Sequence, residues 1–378
     1  MINNIKTVGI VGGGQLGRMM IPYIKKLGLK AVVLDPAEDC PCAKLCDTHI
    51  VAGFSDPKGF ARLAELCDVI TYEFEHIDTA LLKALEDKGQ TIYPSVESLK
   101  VIQDKYTQNE ALRTAGIAVP DFFAVTDLDD LKARYTKLQK PLMLKSRKGG
   151  YDGKGNAVIK TADDIETAYN TLSRGGTDDL MAEPLLNFKK EVSVIATRGQ
   201  DGTCVIYPIA ENLHKNSILD VTTVPAAVDK KTAYKVDACA KAVMECFKGI
   251  GTFCAELFVT HNGDVLVNEV APRVHNSGHF SIEACATSQF ENHVRAIVGL
   301  KPGSAELKYK SACMKNIIGT RDGAARYTGL EDALAFDHVH VHIYGKSEVK
   351  PGRKMGHVTL VGDPHEIEKK LQKLQIKA

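Results

Sequence analysis

Three stretches of this 378-residue chain carry residue types that could do chemistry together. The first is "GTFCAELFVTHNGDVLVNEVAPRVHNSGH", in which two β-type runs flank Asn262 and Gly263, a strong hairpin signal. A two-residue turn there places Glu256 directly opposite Glu269, with Phe258 and Val267 on the same face. Like charges opposed in a ladder repel, and partial burial makes the repulsion worse. A divalent cation between the two carboxylates removes the problem, and oxygen ligands completed by water or phosphate suit Mg²⁺. A solvated glutamate pair at a sheet edge is the plainer reading of the same residues.

The second stretch is "LMLKSRKGGYDGKGNAVI". A strand ends at Lys145, a loop holds Gly149, Gly150, Gly153 and Gly155, and the chain returns as a strand. Glycines let backbone N–H groups approach phosphate oxygens, and Lys145, Arg147, Lys148 and Lys154 supply positive charge. The loop opens no helix after G-K-[ST], so it is not a Walker loop. An ordinary hairpin loop is the alternative, but beside a metal-binding hairpin a nucleotide–Mg²⁺ site explains both. In the third stretch, "HVHVHIYGKSEVKPGRKMGHVTL", His338, His340 and His342 alternate on one strand face, and Lys346, Arg353 and Lys354 crowd a Pro351–Gly352 turn. The histidines could bind zinc but lack a neighbouring carboxylate or cysteine; the basic cluster could hold a phosphate monoester or be merely solvated.

A fourth signal points elsewhere. "TVGIVGGGQLGRMM" spaces Gly12, Gly14 and Gly17 as G-x-G-x-x-G, and "KAVVLDP" ends a second apolar run in Asp35. By the usual rule this is a dinucleotide site with Asp35 on a ribose. A dehydrogenase reading rests on that loop alone and leaves the glutamate hairpin unexplained.

The elements that must position these residues follow from the same sequence. The first ~100 residues alternate short apolar strands with helices such as "QLGRMMIPYIKKLG", the pattern of a doubly wound parallel sheet. From Ser98 a long helix "SLKVIQDKYTQNEALRTAG" leads into a mixed region, and a last segment after "GLKPGSA" carries two strands and the helix "PHEIEKKLQKL". The expected organisation is residues 1–100, an α/β domain; 101–300, a mixed domain with a subdomain at about 115–180; and 301–378, a small β-rich domain.

Composition bounds the partners. Lys+Arg number 48 and Asp+Glu 47, so no global basic field exists for nucleic acid or a membrane surface. The start "MINNIKTVGIV" lacks a signal-peptide pattern, and no run reaches the roughly 18 apolar residues of a membrane span. Ten cysteines scattered through apolar segments read as free thiols, which points to the cytoplasm. Cys40, Cys42 and Cys46 in "DCPCAKLCD" lack a fourth ligand at a familiar spacing and read as a cysteine-rich loop.

In their order along the chain, "GIVGGGQLGRMM", "KGGYDGKGN", "EVSVIATRGQDG", "VNEVAPRVHNSGH" and "KPGRKMGH" resemble the ATP-grasp superfamily, and within it the N5-carboxyaminoimidazole ribonucleotide synthetases of purine biosynthesis. The resemblance spans residues 7 to 362. It implies an ATP-grasp fold, α/β and α+β, with an N-terminal Rossmann-like pre-ATP-grasp sheet and a small C-terminal domain. It also implies a carbon–nitrogen ligase that uses ATP, two Mg²⁺ ions and bicarbonate to carboxylate 5-aminoimidazole ribonucleotide. Lys105, Lys145 and the flap Gly150, Tyr151, Asp152, Gly153, Lys154, Gly155 and Asn156 then meet the ATP phosphates. Glu183, Pro184, Leu185 and Leu186 hold adenine, Glu191 the ribose, and His214 lies on the nucleotide side. Glu256 and Glu269 are the metal ligands, with Asn268 beside them. Arg273, Lys154 and Lys346 take catalytic roles, and Gln15, Glu73, His275, Asn276, Lys346 and Arg353 form the ribonucleotide site, the last two on its 5′-phosphate. In this resemblance the first glycine loop binds no dinucleotide; it shapes the acceptor pocket, with Glu75 near it. A homodimer and handover of product to the following mutase are also implied. Asn109 stands where family members often carry a basic residue, and Cys42 and Cys46 where small residues are expected.

Overall fold

The computed structural model describes residues 5–150, 154–173 and 179–378. Its N-terminal sheet is five-stranded and parallel, in the order Thr48–Ile50, Lys30–Leu34, Thr7–Val11, Val69–Tyr72, Thr91–Ile92. The central strand reads as a continuous apolar run because helices cover both faces; Val8, Ile10 and Val11 are fully buried. Parallel pairing brings the carboxyl ends of Thr7–Val11 and Val69–Tyr72 side by side. The glycine loop and the segment holding Glu73 and Glu75 therefore emerge at one edge.

The single helix expected from residue 98 is two, Val96–Ile102 and Lys105–Thr114. Asp104 breaks it: its carboxylate accepts the backbone N–H groups of Tyr106 at 3.0 Å and Thr107 at 3.1 Å, capping the second helix just before Lys105. A four-stranded antiparallel sheet follows, ordered Phe123–Val125, Leu180–Pro184, Leu142–Ser146, Asn156–Ile159. The last two strands form the hairpin that carries the second glycine loop.

The largest sheet has nine strands. Its path runs Val265–Ala271, Gly251–Thr260, Phe188–Arg198, Ala210–Lys215, Ile218–Val224, Ser311–Ile318, Lys354–Gly362, Val339–Ile343, with Cys204–Ile206 beside Phe188–Arg198. It continues past residue 300, so strands on both sides of that position share one ladder.

The glutamate hairpin differs from the expected one in two places. The turn has three residues, not two: Thr260 N–H donates to Asp264 C=O at 2.9 Å, and Gly263 takes the left-handed conformation at φ 76°. Phe258 consequently faces Leu266, and Val267 faces Leu257. A bulge at Asn268 then restores the lost residue, so that Glu256 does stand opposite Glu269.

Candidate active site

The sheets and the N-terminal edge enclose one cavity of about 1010 Å³. Its walls include Lys105, Lys145, Gly150, Lys154, Asn156, the 183–186 segment, Glu191 and His214, and also Gln15, Glu73, Arg273, His275 and Asn276. Phosphate-side and acceptor-side residues expected from the sequence therefore share one space. Tyr151, Asp152 and Gly153 lie outside the described residues. Gly155 is not a wall residue among the described ones. It closes the loop instead, its C=O accepting Ser146 N–H at 2.8 Å, and a Cβ on Gly150 would press on the Lys154 C=O at 2.9 Å.

Lys105 and Lys145, both expected on the phosphate side, are each held by a carboxylate. Lys105 Nζ lies 2.6 Å from Glu269 Oε2. Lys145 Nζ donates to Glu183 Oε2 at 2.7 Å and reaches Asn268 Oδ1 at 3.5 Å. Asn109 is buried and donates to the other oxygen of Glu183 at 3.3 Å, so it supports this pair by hydrogen bonding, without charge. Arg147 also lines the cavity. Its guanidinium grips Asp104 at two points, 3.0 and 2.7 Å, and its C=O accepts Lys105 N–H at 2.9 Å. The loop hairpin is thereby tied to the start of the Lys105 helix.

Burial raises Glu256, and the charge of Glu269 raises it further, to about 7. Burial also acts on Glu269, but Lys105 outweighs it and holds this carboxyl below its usual value. Among the described residues no group of three or more His, Cys, Asp or Glu is arranged to hold a metal. The hairpin therefore offers two carboxylates and leaves further ligand positions to water or phosphate. That donor set fits a hard divalent cation on a nucleotide, and the raised Glu256 is the strain such a cation relieves.

Of the residues expected on the nucleoside side, His214 Nδ1 contacts Glu191 Oε2. Burial lowers the His214 pKa, but this hydrogen bond overrides it and the net direction is upward. Phe188 and Phe258 stack at 4.6 Å between centroids and both line the cavity.

The first glycine loop is filled by the chain's own carboxylates. Glu73 accepts the N–H of Gly14 and, at 2.7 Å, that of Gly17, while Asp35 accepts Gly13 N–H at 2.8 Å. A Cβ on Gly14 would collide with Glu73. Asp35 thus caps the loop, and the helix N-terminus is already occupied by an anion, which leaves the dinucleotide rule without a pyrophosphate site. Burial raises the Glu73 carboxyl above its ordinary value despite these amides.

Arg273 forms a two-point pair with Glu75, Nε to Oε1 at 2.8 Å and Nη2 to Oε2 at 3.0 Å. His275 Nε2 lies 3.6 Å from Glu256 Oε1; burial and the Arg273 charge hold its pKa well below the usual imidazole value, so the ring is neutral. Asn276 exchanges hydrogen bonds with Asn316 at 3.0 and 2.7 Å. The basic turn splits: Lys354 lines the cavity, whereas among the described residues Lys346 and Arg353 do not. Lys346 Nζ donates to the Lys354 C=O at 2.7 Å, and Arg353 donates to the Glu348 C=O at 2.7 Å.

Sequence reasoning passed over Lys354 as a wall residue, Glu75 as the partner of Arg273, and the Asp104–Arg147 pair. The Cys40 thiol is pushed up to about 11 by burial, and Cys42 also rises, which disfavours thiolate ligands there. His342 Nε2 pairs with Glu283 at 2.7 Å. No helix among the described residues is long and apolar enough to cross a membrane.

Comparison with known proteins agrees with this geometry. Residues 5–103 match the ribonucleotide synthetase preATP-grasp domain, 110–290 the ATP-grasp domain, and 312–370 the phosphoribosylaminoimidazole carboxylase C-terminal domain. The chain is 42% identical over 366 residues to an N5-carboxyaminoimidazole ribonucleotide synthase of Staphylococcus aureus, covering 96% of this chain and 94% of that one. The S. aureus N5-carboxyaminoimidazole synthetase structure complexed with ADP superposes with a TM-score of 0.89 at 40% identity, covering 97% and 96% of the two chains. An Aspergillus clavatus synthase in complex with ADP and 5-aminoimidazole ribonucleotide gives 0.90 at 35% identity, covering 99% and 98%. A shared fold and near-complete coverage at about 40% identity lead to one assignment: this chain belongs to the N5-carboxyaminoimidazole ribonucleotide synthase family of ATP-grasp ligases.

Proposed function

We propose that this protein carboxylates 5-aminoimidazole ribonucleotide at its exocyclic amine, using ATP and bicarbonate and releasing ADP and phosphate. The observation that carries this reading is the shared cavity, in which Lys105, Lys145 and the glutamate hairpin line one space with Gln15, Glu73 and His275. A bicarbonate oxygen attacks the γ-phosphorus and the bond to ADP breaks, giving carboxyphosphate. That species splits to CO₂ and phosphate, and the amine nitrogen closes on CO₂ with loss of its proton.

The residues divide the work as follows. Lys105, Lys145, Lys154 and the 150–156 loop hold the phosphates, the 183–186 segment the base, and Glu191 with His214 the ribose. Glu256 and Glu269 would hold Mg²⁺, two ions in all, which neutralise phosphate charge when bound. Arg273 offers N–H donors to the transferred phosphoryl group. Gln15, Glu73, His275 and Asn276 surround the acceptor, and Lys346 and Arg353, joined by the cavity-lining Lys354, take its 5′-phosphate. A closing glycine loop keeps water from the labile intermediate.

The proposal extends to domains at 1–100, 101–300 and 301–378, supported by the pattern of elements, to a cytoplasmic location, supported by the free cysteines, and to a homodimer that delivers product to N5-carboxyaminoimidazole ribonucleotide mutase, supported by the family resemblance. ADP release with ATP, Mg²⁺ and bicarbonate, followed with and without 5-aminoimidazole ribonucleotide, tests it. Release that rises strongly with the ribonucleotide is expected; release indifferent to it contradicts the acceptor.

A further inference from the structure

Two carboxylates leave the edge of the N-terminal sheet two residues apart and do different things. Glu73 closes on the amides of the glycine loop beside the acceptor walls. Glu75 reaches across to Arg273, on the segment that follows the metal-binding hairpin. Both members of the pair are largely buried, their side chains 17% and 16% exposed. The backbone between is braced, because the Gln103 side-chain amide donates to the Ile77 C=O at 2.7 Å and Ile77 N–H to the Glu75 C=O at 2.8 Å.

A guanidinium has five N–H donors. On Arg273, Glu75 Oε2 accepts one from Nη2 at 3.0 Å and the Val274 C=O accepts one from Nη1 at 3.0 Å. Nε lies against Glu75 Oε1 at 2.8 Å as an ion pair without hydrogen-bond geometry, so that of the four terminal N–H groups two are taken. Two remain for phosphoryl oxygens without any break in the Glu75 contact. The direction in which Arg273 presents them is thus set from the N-terminal sheet, by the loop whose other carboxylate shapes the acceptor pocket. A shift of that loop when the pocket fills is transmitted to Arg273 through a rigid two-point contact.

We propose that Glu75 is a positioning residue that couples acceptor occupancy to the phosphoryl-transfer side through Arg273. This rests on the acceptor pocket assigned under the proposed function. The test compares ADP release with and without 5-aminoimidazole ribonucleotide, at saturating ATP, Mg²⁺ and bicarbonate, in the unaltered protein and in Glu75→Gln. The ratio of the two rates is expected to fall about tenfold in the variant, and product formed per ADP to drop below that of the unaltered protein. A variant with both rates reduced by one factor, so that the ratio stays unchanged, overturns the proposal, since that is what loss of a merely structural contact produces. Glu75→Asp keeps the charge but shortens the reach, and the same ratio decides the case if the glutamine variant does not fold. No acceptor response in the unaltered protein overturns the proposed function and this inference with it; a response that both variants retain overturns the inference alone.

Discussion

Glu256 and Glu269 stand directly opposite each other in an antiparallel pair, yet their carboxyls are shifted in opposite directions. Lys105, 2.6 Å from Glu269, holds that carboxyl ionised, and the charge so fixed helps push Glu256 to about 7. The hairpin enters neutral solution carrying one firm negative charge and one group near its midpoint. A divalent cation completes the second ionisation.

A pH dependence of metal binding follows. A carboxyl raised in the folded state contributes stability that is complete below its unfolded pKa of roughly 4.5 and is lost as pH rises through about 7. The loss is on the order of 3 kcal/mol in the metal-free protein. Mg²⁺ should therefore raise the melting temperature more at pH 8 than at pH 6, and Glu256→Gln should remove the difference. Melting curves at both pH values, with and without Mg²⁺, check this.

Glu269→Gln removes the carboxylate that pairs with Lys105. Turnover is expected to fall by about three orders of magnitude or more, the scale of losing transition-state electrostatics, while far-ultraviolet circular dichroism stays that of the folded protein. Near-normal turnover in this variant contradicts the metal assignment.

Lys145 and Glu183 form a buried pair, with side chains 10% and 6% exposed. Removing one partner strands the other charge, at a cost of about 3–5 kcal/mol. Lys145→Met alone should destabilise by that amount, and Lys145→Met with Glu183→Gln should recover most of it without recovering ATP affinity. Denaturant titration and nucleotide binding separate the two effects.

Fully buried histidines predict steep acid lability. Burial lowers His279, His293 and His357, the second to about 3. His293 Nδ1 accepts Thr252 N–H at 3.1 Å and its Nε2 bonds Thr71 Oγ1 at 2.8 Å, so the ring is satisfied only as the neutral form. For a base whose folded pKa is depressed, stability is present above the unfolded value of about 6.5 and is lost as pH falls below it. Each of the three removes up to about 1.4 kcal/mol per pH unit there, against an opposing gain from Glu256. Urea unfolding between pH 7.5 and 5 should show stability falling with a slope of two or more protons; a flat profile contradicts it.

The glutamate hairpin was legible because its residues sit close together in sequence. The Glu256–Glu269 pairing follows from turn chemistry, although two departures compensated: the turn gained a residue and the Asn268 bulge returned it. Partner choice was not legible. Arg147 reads as a positive charge for phosphate, and nothing in the sequence shows that Asp104, 43 positions away, grips it. Glu75 and Arg273 are 198 positions apart, and charge alone does not reveal such a pair. Strand phase within the basic turn was not legible either: Lys354 opens a strand and faces the cavity, while its neighbour Arg353 donates to a backbone carbonyl. The glycine loop misled because its motif specifies close backbone approach, and the approaching groups are Glu73 and Asp35.

The central claim is the transfer of bicarbonate carbon to the acceptor amine at the expense of ATP. It is tested most directly with ¹³C-bicarbonate, ATP, Mg²⁺ and 5-aminoimidazole ribonucleotide, following the carbamate carbon by NMR alongside ADP. The account predicts a ¹³C carbamate on the ribonucleotide, formed in step with ADP and absent without ATP. ADP release with no labelled carbon on the ribonucleotide would contradict it.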